Sequence, residues 1–305
     1  MKLGIFYGGT NEVAGQVDTV VQAENDGFDS LWMGQVFGPD VMTVLALAGQ
    51  KTSRIQVGTS VVPTYTRHPH VMAQQALTTH AATNGRFNLG LGLSHHTVVE
   101  GMWGLSYDRP GVNMKEYLSV VMPLVNDGQV SFSGDFYRVS ANLQIPVPKP
   151  MPVLIAALAP MMLRLAGELT DGTITWMSGP KTLESHIVPR LTKAASGAGR
   201  PAPRVVAGVP IAVVDDVDAA REKAARAFRV YGSLPNYVRV LEKEGVEGPA
   251  DIAIVGDEAE CERRIKDFAS AGVTEFLAAF FPVGDDPHAS LARTRALCKS
   301  LVGKV

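Results

Sequence analysis

The chain lacks the marks of several protein classes. Its 305 residues include two cysteines, Cys261 and Cys298, too few for a disulfide framework and spaced like no zinc motif. Basic and acidic residues nearly cancel, 28 against 30, leaving a net charge of −2. A global attraction to nucleic acid is therefore missing. No stretch approaches the roughly 18 apolar residues that cross a bilayer, and the apolar start at residues 1–6 is too short for a signal peptide. His-Glu-x-x-His and the Walker lysine are absent. What is present is a hydrophobic fraction of 46%, enough to bury a large core. These features predict a soluble, cytoplasmic protein whose partner is a small molecule, not nucleic acid or a membrane.

Eight short apolar runs recur, at 3–7, 29–33, 55–62, 87–93, 153–158, 173–177, 205–214 and 275–281. Most are continuous rather than alternating, as expected of parallel strands covered on both faces. Asp26-Gly27, Asn84-Gly85, Asp171-Gly172 and Ala271-Gly272 each precede a run and predict left-handed helix ends turning into strands. Asp257 and Glu260 predict a capping box before a helix near 259–271. Another helix is expected near 217–231. Met114, Tyr117, Leu118, Val121 and Val125 mark one apolar helical face, with a kink expected at Pro123. Eight strands alternating with helices predict a (β/α)₈ TIM barrel; a doubly wound sheet is the rival. The chain is expected to form one domain, 1–305, with insertions near 96–150 and 231–256. Residues 131–139 in the first insertion predict a hairpin turning at Gly134-Asp135.

In such a barrel the site lies where strands end. That places Gly8, Gly9 and Thr10, then Gly34 and Gln35, then residues 58–69, then Ser94, His95 and His96, at the rim. Gly90-x-Gly92 follows a strand but has His95 where a dinucleotide fingerprint needs its third glycine. His68-Pro69-His70 could offer two metal ligands, yet a site needs three or four; no metal is expected, and Pro69 more simply starts a helix. His95 or His96 could exchange a proton near neutral pH, or either could be a solvated loop residue. Gln35 could be a plain loop amide or a donor to a heterocycle. Trp176 nearly ends a strand and is the best pocket candidate among the three tryptophans. Cys261 and Cys298 read as packing residues.

At Gly58-Thr59-Ser60-Val61-Val62-Pro63, Arg67-His68-Pro69, Asn84-Gly85-Arg86-Phe87-x-Leu89-Gly90-x-Gly92 and Ala166-Gly167-Glu168-x-x-Asp171-Gly172 the chain resembles the bacterial luciferase-like superfamily. More narrowly it resembles its coenzyme F420-dependent oxidoreductases of actinobacteria and archaea. The resemblance spans essentially the whole chain and implies the same (β/α)₈ barrel with insertions. It implies a cis Ser60–Val61 peptide pressing on one face of a deazaflavin ring, flanked by Thr59 and Val62. Leu93, Ser94 and His95 would meet the ring edge. The backbone of Ala156, Ala157, Leu158 and Ala159, with Thr175, Trp176 and Gly179, would hold the ribityl and phosphate portion. A deazaflavin moves hydride in two-electron steps, and the protein would supply orientation and a proton. His95, or His96 instead, would donate that proton to an unsaturated or carbonyl substrate oriented by Gln35 and Tyr65. Alternatives are an FMN-dependent monooxygenase of the same superfamily, a non-catalytic flavin or deazaflavin carrier, and a metal hydrolase using His68 and His70. Arg67 and Arg109 are the rim's only evident cations for a phosphorylated substrate. Superfamily members are often homodimers, and the apolar segment 41–48 could serve that contact.

Overall fold

The computed structural model describes residues 1–8 and 12–305. Its strands are β1 Lys2–Tyr7, β2 Ser30–Met33, β3 Gln56–Thr59, β4 Val62–Pro63, β5 Phe87–Gly92, β6 Gln129–Ser133, β7 Arg138–Asn142, β8 Val153–Ala156, β9 Gly172–Trp176, β10 Arg204–Val213, β11 Ile254–Gly256 and β12 Glu275–Phe280. Eight of them close a parallel barrel in the order β1-β2-β3-β5-β8-β9-β10-β12, with β12 returning to β1. All eight apolar runs are barrel strands. β4 continues β3 beyond a bulge and pairs with β5, and β11 extends the edge of β10. β6 and β7 form the expected antiparallel hairpin, closed by the Gly134 N–H donating to the Tyr137 carbonyl.

The local reasons for these elements are visible. Gly27, Gly85 and Gly272 have φ of 88°, 79° and 89° and end helices in the left-handed region. Gly172 does not. Its φ is 149°, and it opens β9 where a Cβ would lie 2.0 Å from the Arg204 carbonyl oxygen. That glycine serves close strand approach, which corrects the expected fourth helix end. Asp257 caps helix Glu258–Ser270 by accepting from the Glu260 N–H. The reciprocal half of the box is missing, because the Glu260 carboxylate pairs with Arg263. The helix expected near 217–231 ends earlier, as Val217–Ala227 followed by a short 3₁₀ turn, Arg229–Gly232. Helix Pro110–Asp127 runs through Pro123, with Met114, Tyr117, Leu118, Val121 and Val125 all buried.

The barrel interior is layered. At its N-terminal end Arg204 donates to Glu275 and Asn88, while Ser30 and Trp32 also donate to Glu275. Above lie Trp32, Leu154, Ile174, Val206 and Leu277, and above these Phe6 and Val61. Inward glycines make the room. A Cβ on Gly58 would lie 2.4 Å from the Trp32 ring, and one on Gly92 would lie 2.4 Å from Val61 Cγ2. The Gly90-x-Gly92 pair that imitates a nucleotide motif is thus a packing device. Outside the barrel a second, larger apolar core joins the strands to their helices.

Candidate active site

The C-terminal mouth of the barrel has an apolar floor. Phe6 from β1 and Trp176 from β9 meet across it with ring centroids 4.8 Å apart, beside Val61. Val61 follows a cis peptide with Ser60. This bulge sets three residues, 59–61, against two, Leu89 and Gly90, between the Gly58–Asn88 and Val62–Leu91 pairs. Four hydrogen bonds hold it. The Ser60 N–H donates to the Met33 carbonyl at 2.7 Å, and the Gln35 N–H to the Val61 carbonyl at 3.2 Å. The Thr59 hydroxyl donates to the Gly90 carbonyl and accepts from the Gly90 N–H, both at 2.8 Å.

One wall is aromatic and comes from Phe228 and the start of the second insertion. Phe228 and Tyr231 pack on Trp176 at 6.2 and 6.1 Å, and Tyr231 meets Tyr237 at 4.9 Å. Tyr237 in turn lies 6.2 Å from His95. This segment is fastened by its last helical residue. Glu244, 8% exposed, accepts from the backbone N–H groups of Lys181 (3.2 Å) and Thr182 (2.8 Å). Gly179 leaves space for that carboxylate, since a Cβ there would be 2.2 Å from Glu244 Cδ. On the other side Tyr65 stacks on Tyr107 at 5.4 Å, and Tyr107 donates to the Ser94 carbonyl. The Tyr65 hydroxyl is buried without a partner among the described residues, and burial pushes its ionisation well up.

Strand parity separates the expected site residues. Val61, Ala156 and Trp176 are partly accessible, whereas Thr59, Val62, Ala157 and Thr175 are buried. Val62 and Ala157 belong to the outer core, and Leu93 packs against it. Thr175 lies between the inward-facing Ile174 and Trp176 and so points to the helix layer. Thr59 shapes the bulge instead of touching the mouth. Gln35 is also redirected: its side-chain oxygen accepts from the Val41 N–H at 3.0 Å, capping helix Val41–Gly49. His96 faces outward, with its Nε2 2.9 Å from Glu100 and the side chain 67% exposed. His95 remains at the mouth, half-buried, and burial lowers its pKa. Gly179 keeps its place at a helix start, but the amides beyond it hold Glu244 rather than a free anion site. Ser60, Ser94, Leu158 and Ala159 stay partly accessible at the rim. Two non-glycine residues there, Ser94 and Met177, have positive φ of 60° and 50°, a conformation that concentrates at functional sites. Gly8 is described; Gly9 and Thr10 lie outside the described residues.

His68 caps helix Pro69–Ala82, its Nδ1 accepting from the His70 N–H. Cys261 and Cys298 are buried, and burial pushes both thiols up to about 12. A groove of about 730 Å³ between helix Pro110–Asp127 and the hairpin is lined by Ser119, Ser131, Ser140 and Asn142 among others. It holds no titratable group and lies away from the mouth.

The model of the luciferase-like monooxygenase family matches residues 1–275. The chain belongs to that family. It is 27% identical to the 5,10-methylenetetrahydromethanopterin reductase of Methanolobus tindarius, over 99% of this chain and 100% of that protein. It is 28% identical to the F420-dependent glucose-6-phosphate dehydrogenase of Nakamurella multipartita, over 94% and 83% of the two chains. Its fold matches the coenzyme F420-dependent tetrahydromethanopterin reductase of Methanopyrus kandleri with a TM-score of 0.81 at 22% identity, over 98% and 96% of the chains. Sequence reasoning had placed the second insertion without naming Phe228, Tyr231, Tyr237 or Glu244. The signal for Tyr231, Tyr237 and Glu244 is the length of the insertion near 231–256; Phe228 lies just before it.

Proposed function

We propose that the protein is an oxidoreductase that moves hydride between coenzyme F420 and a small organic substrate at the mouth of its barrel. The observation that carries this reading is the apolar floor of Phe6, Val61 and Trp176, joined to His95 through the Tyr231 and Tyr237 rings, in a chain 28% identical over 94% of its length to a relative named as F420-dependent. The residues fit such a group. The floor offers an apolar, aromatic seat, and Ser178 presents a buried hydroxyl without a partner among the described residues. Helix Pro160–Leu169 begins after Ala159 with no side-chain cap, so its first amides suit an anionic group. Bound there, the deazaflavin supplies hydride chemistry that reacts poorly with oxygen.

The chain's own part is positional and protonic. Val61 would press on one ring face while Phe6 and Trp176 seat it. Ala156, Leu158, Ala159 and Ser94 would follow the edge and tail by close backbone approach. His95 exchanges the substrate proton, and the Phe228, Tyr231 and Tyr237 rings keep water from that transfer. The whole chain, 1–305, is read as one working unit. We also read it as a homodimer: Leu47 and Val71 on the helices beside β2 and β3 expose 48% and 47% of their surface, and Phe37 nearby 71%. Two unoxidised buried thiols suit the cytoplasm, and no helix among the described residues is long and apolar enough to cross a membrane.

Paired fluorescence titrations with oxidised coenzyme F420 and with FMN test the reading. Low-micromolar or tighter binding of the deazaflavin, with FMN weaker, is expected. Preference for FMN overturns it in favour of the oxygen-using branch of the family.

A further inference from the structure

The two arginines of the rim are already committed to carboxylates. Arg67, one of the two rim cations available for a phosphorylated substrate, is paired with Asp40, which Gln75 also contacts. Arg109, the other, is paired with Asp135 at 2.9 Å and with Asp108, and lies over the Phe136 ring. Glu100 is held by His96, and Glu244 by two backbone amides. Lys181, Arg229, Arg239 and Lys243 are exposed. Burial favours the neutral form of His95. A phosphate ester would have to displace Asp40 or Asp135 and Asp108 to reach either rim arginine.

The wall offers another kind of recognition. Tyr237, Tyr231 and Trp176 form a continuous aromatic surface running from His95 to the floor, with successive centroids 4.9 and 6.1 Å apart. Ring faces and edges of this kind hold flat or apolar molecules by stacking. The His95 imidazole is a donor that suits a carbonyl oxygen, and the Tyr65 hydroxyl across the mouth is another.

We infer that the mouth takes an uncharged, flat or apolar carbonyl compound, selected by the Tyr231–Tyr237 pair, and not a phosphorylated sugar. This rests on the hydride-transfer reading for its chemistry, but its selectivity is a property of the residues alone. It also separates this chain from its relative named for glucose 6-phosphate.

Ligand-observed saturation-transfer NMR on the cofactor-free protein tests it, with acetophenone and glucose 6-phosphate as the two probes. Acetophenone is expected to show transfer that drops about fivefold or more in Tyr231→Ala and Tyr237→Ala and persists in Tyr237→Phe, because the ring face is what binds. Glucose 6-phosphate is expected to show none. Tyr231→Leu and Tyr237→Leu keep the apolar volume should an alanine variant fail to fold, and they are expected to lose the signal likewise. Transfer to glucose 6-phosphate matching that to acetophenone overturns the inference, as does an acetophenone signal that every folded tyrosine variant leaves intact. Coenzyme F420 quenching in the same samples is read separately. Its failure overturns the cofactor reading, while the comparison of the two probes still decides this one.

Discussion

Burial keeps the imidazole of His95 mostly neutral at pH 7, and this decides which half of a proton transfer it favours. Its pKa lies below the ordinary 6.5 because the charged form loses solvation at the mouth. A neutral imidazole accepts a proton from an alcohol; the protonated form is needed to give one to a carbonyl. For carbonyl reduction, kcat/KM should therefore rise as pH falls from about 8 towards 5 and level off only below the lowered pKa. For the reverse oxidation it should be flat above that pKa and fall below it. His95→Asn should flatten both profiles and reduce the rate by about 10²-fold or more. Profiles in both directions for wild type and variant check this, and an unchanged slope in the variant would move the proton to another group. His96 is the useful contrast. It sits one residue away in sequence, yet the turn at Ser94 sends it to the surface and Glu100.

At the scale of elements, the segment from Phe228 to Glu244 is tied to the barrel by Glu244 and by the Thr182 hydroxyl, which donates to the Val240 carbonyl at 3.1 Å. Glu244 ends helix Pro235–Glu244 and lies on the first amides of the next helix layer, 62 residues back in the chain at Thr182. Glu244→Ala frees those amides and should cost about 1–2 kcal/mol, the range of a lost helix cap. Hydrogen exchange is the direct measurement: amides of 229–244 and of Lys181 and Thr182 should exchange faster, with β1, β5 and β8 unchanged. Equal exchange in this segment would mean that its aromatic packing and the Thr182–Val240 bond hold it without the carboxylate. This element also marks the limit of sequence reading. The eight strands were legible because strands buried on both faces are continuously apolar. Which face each residue takes is less legible in a continuously apolar strand, and the pleat separates Ala157, Thr175 and Val62 from their inward neighbours. The rim position of Gln35 is plain in sequence, whereas the need of the Val41 amide for its side-chain oxygen appears only once the helix is in place. The Glu244 and Tyr237 contacts depend on distant segments meeting, which no local pattern announces.

For the whole molecule the decisive problem is closure: β10 must meet both β9 and β12, or the barrel stays an open sheet with two bare edges. The polar layer at its N-terminal end is placed to secure this. Glu275 on β12, 2% exposed, accepts from Ser30 and Trp32 of β2 and from Arg204 of β10, while Arg204 also donates to Asn88 of β5 at 2.7 Å. Four strands thus share one carboxylate–guanidinium centre inside the barrel. Removing one partner leaves the others desolvated, so Glu275→Leu should cost about 3–5 kcal/mol. Replacing both, as Arg204→Met with Glu275→Leu, removes the unmatched charge and should recover much of the loss. The pair lies at the end of the barrel opposite the mouth, where residues serve stability rather than chemistry. Coenzyme affinity measured well below the melting temperature should therefore stay close to wild type in any variant that folds. Denaturant unfolding of the two single variants and the double variant gives the coupling directly. Additive losses would mean that the strands close on packing alone, with Trp32 and its facing glycine, Gly58, carrying the joint that the ion pair is assigned here.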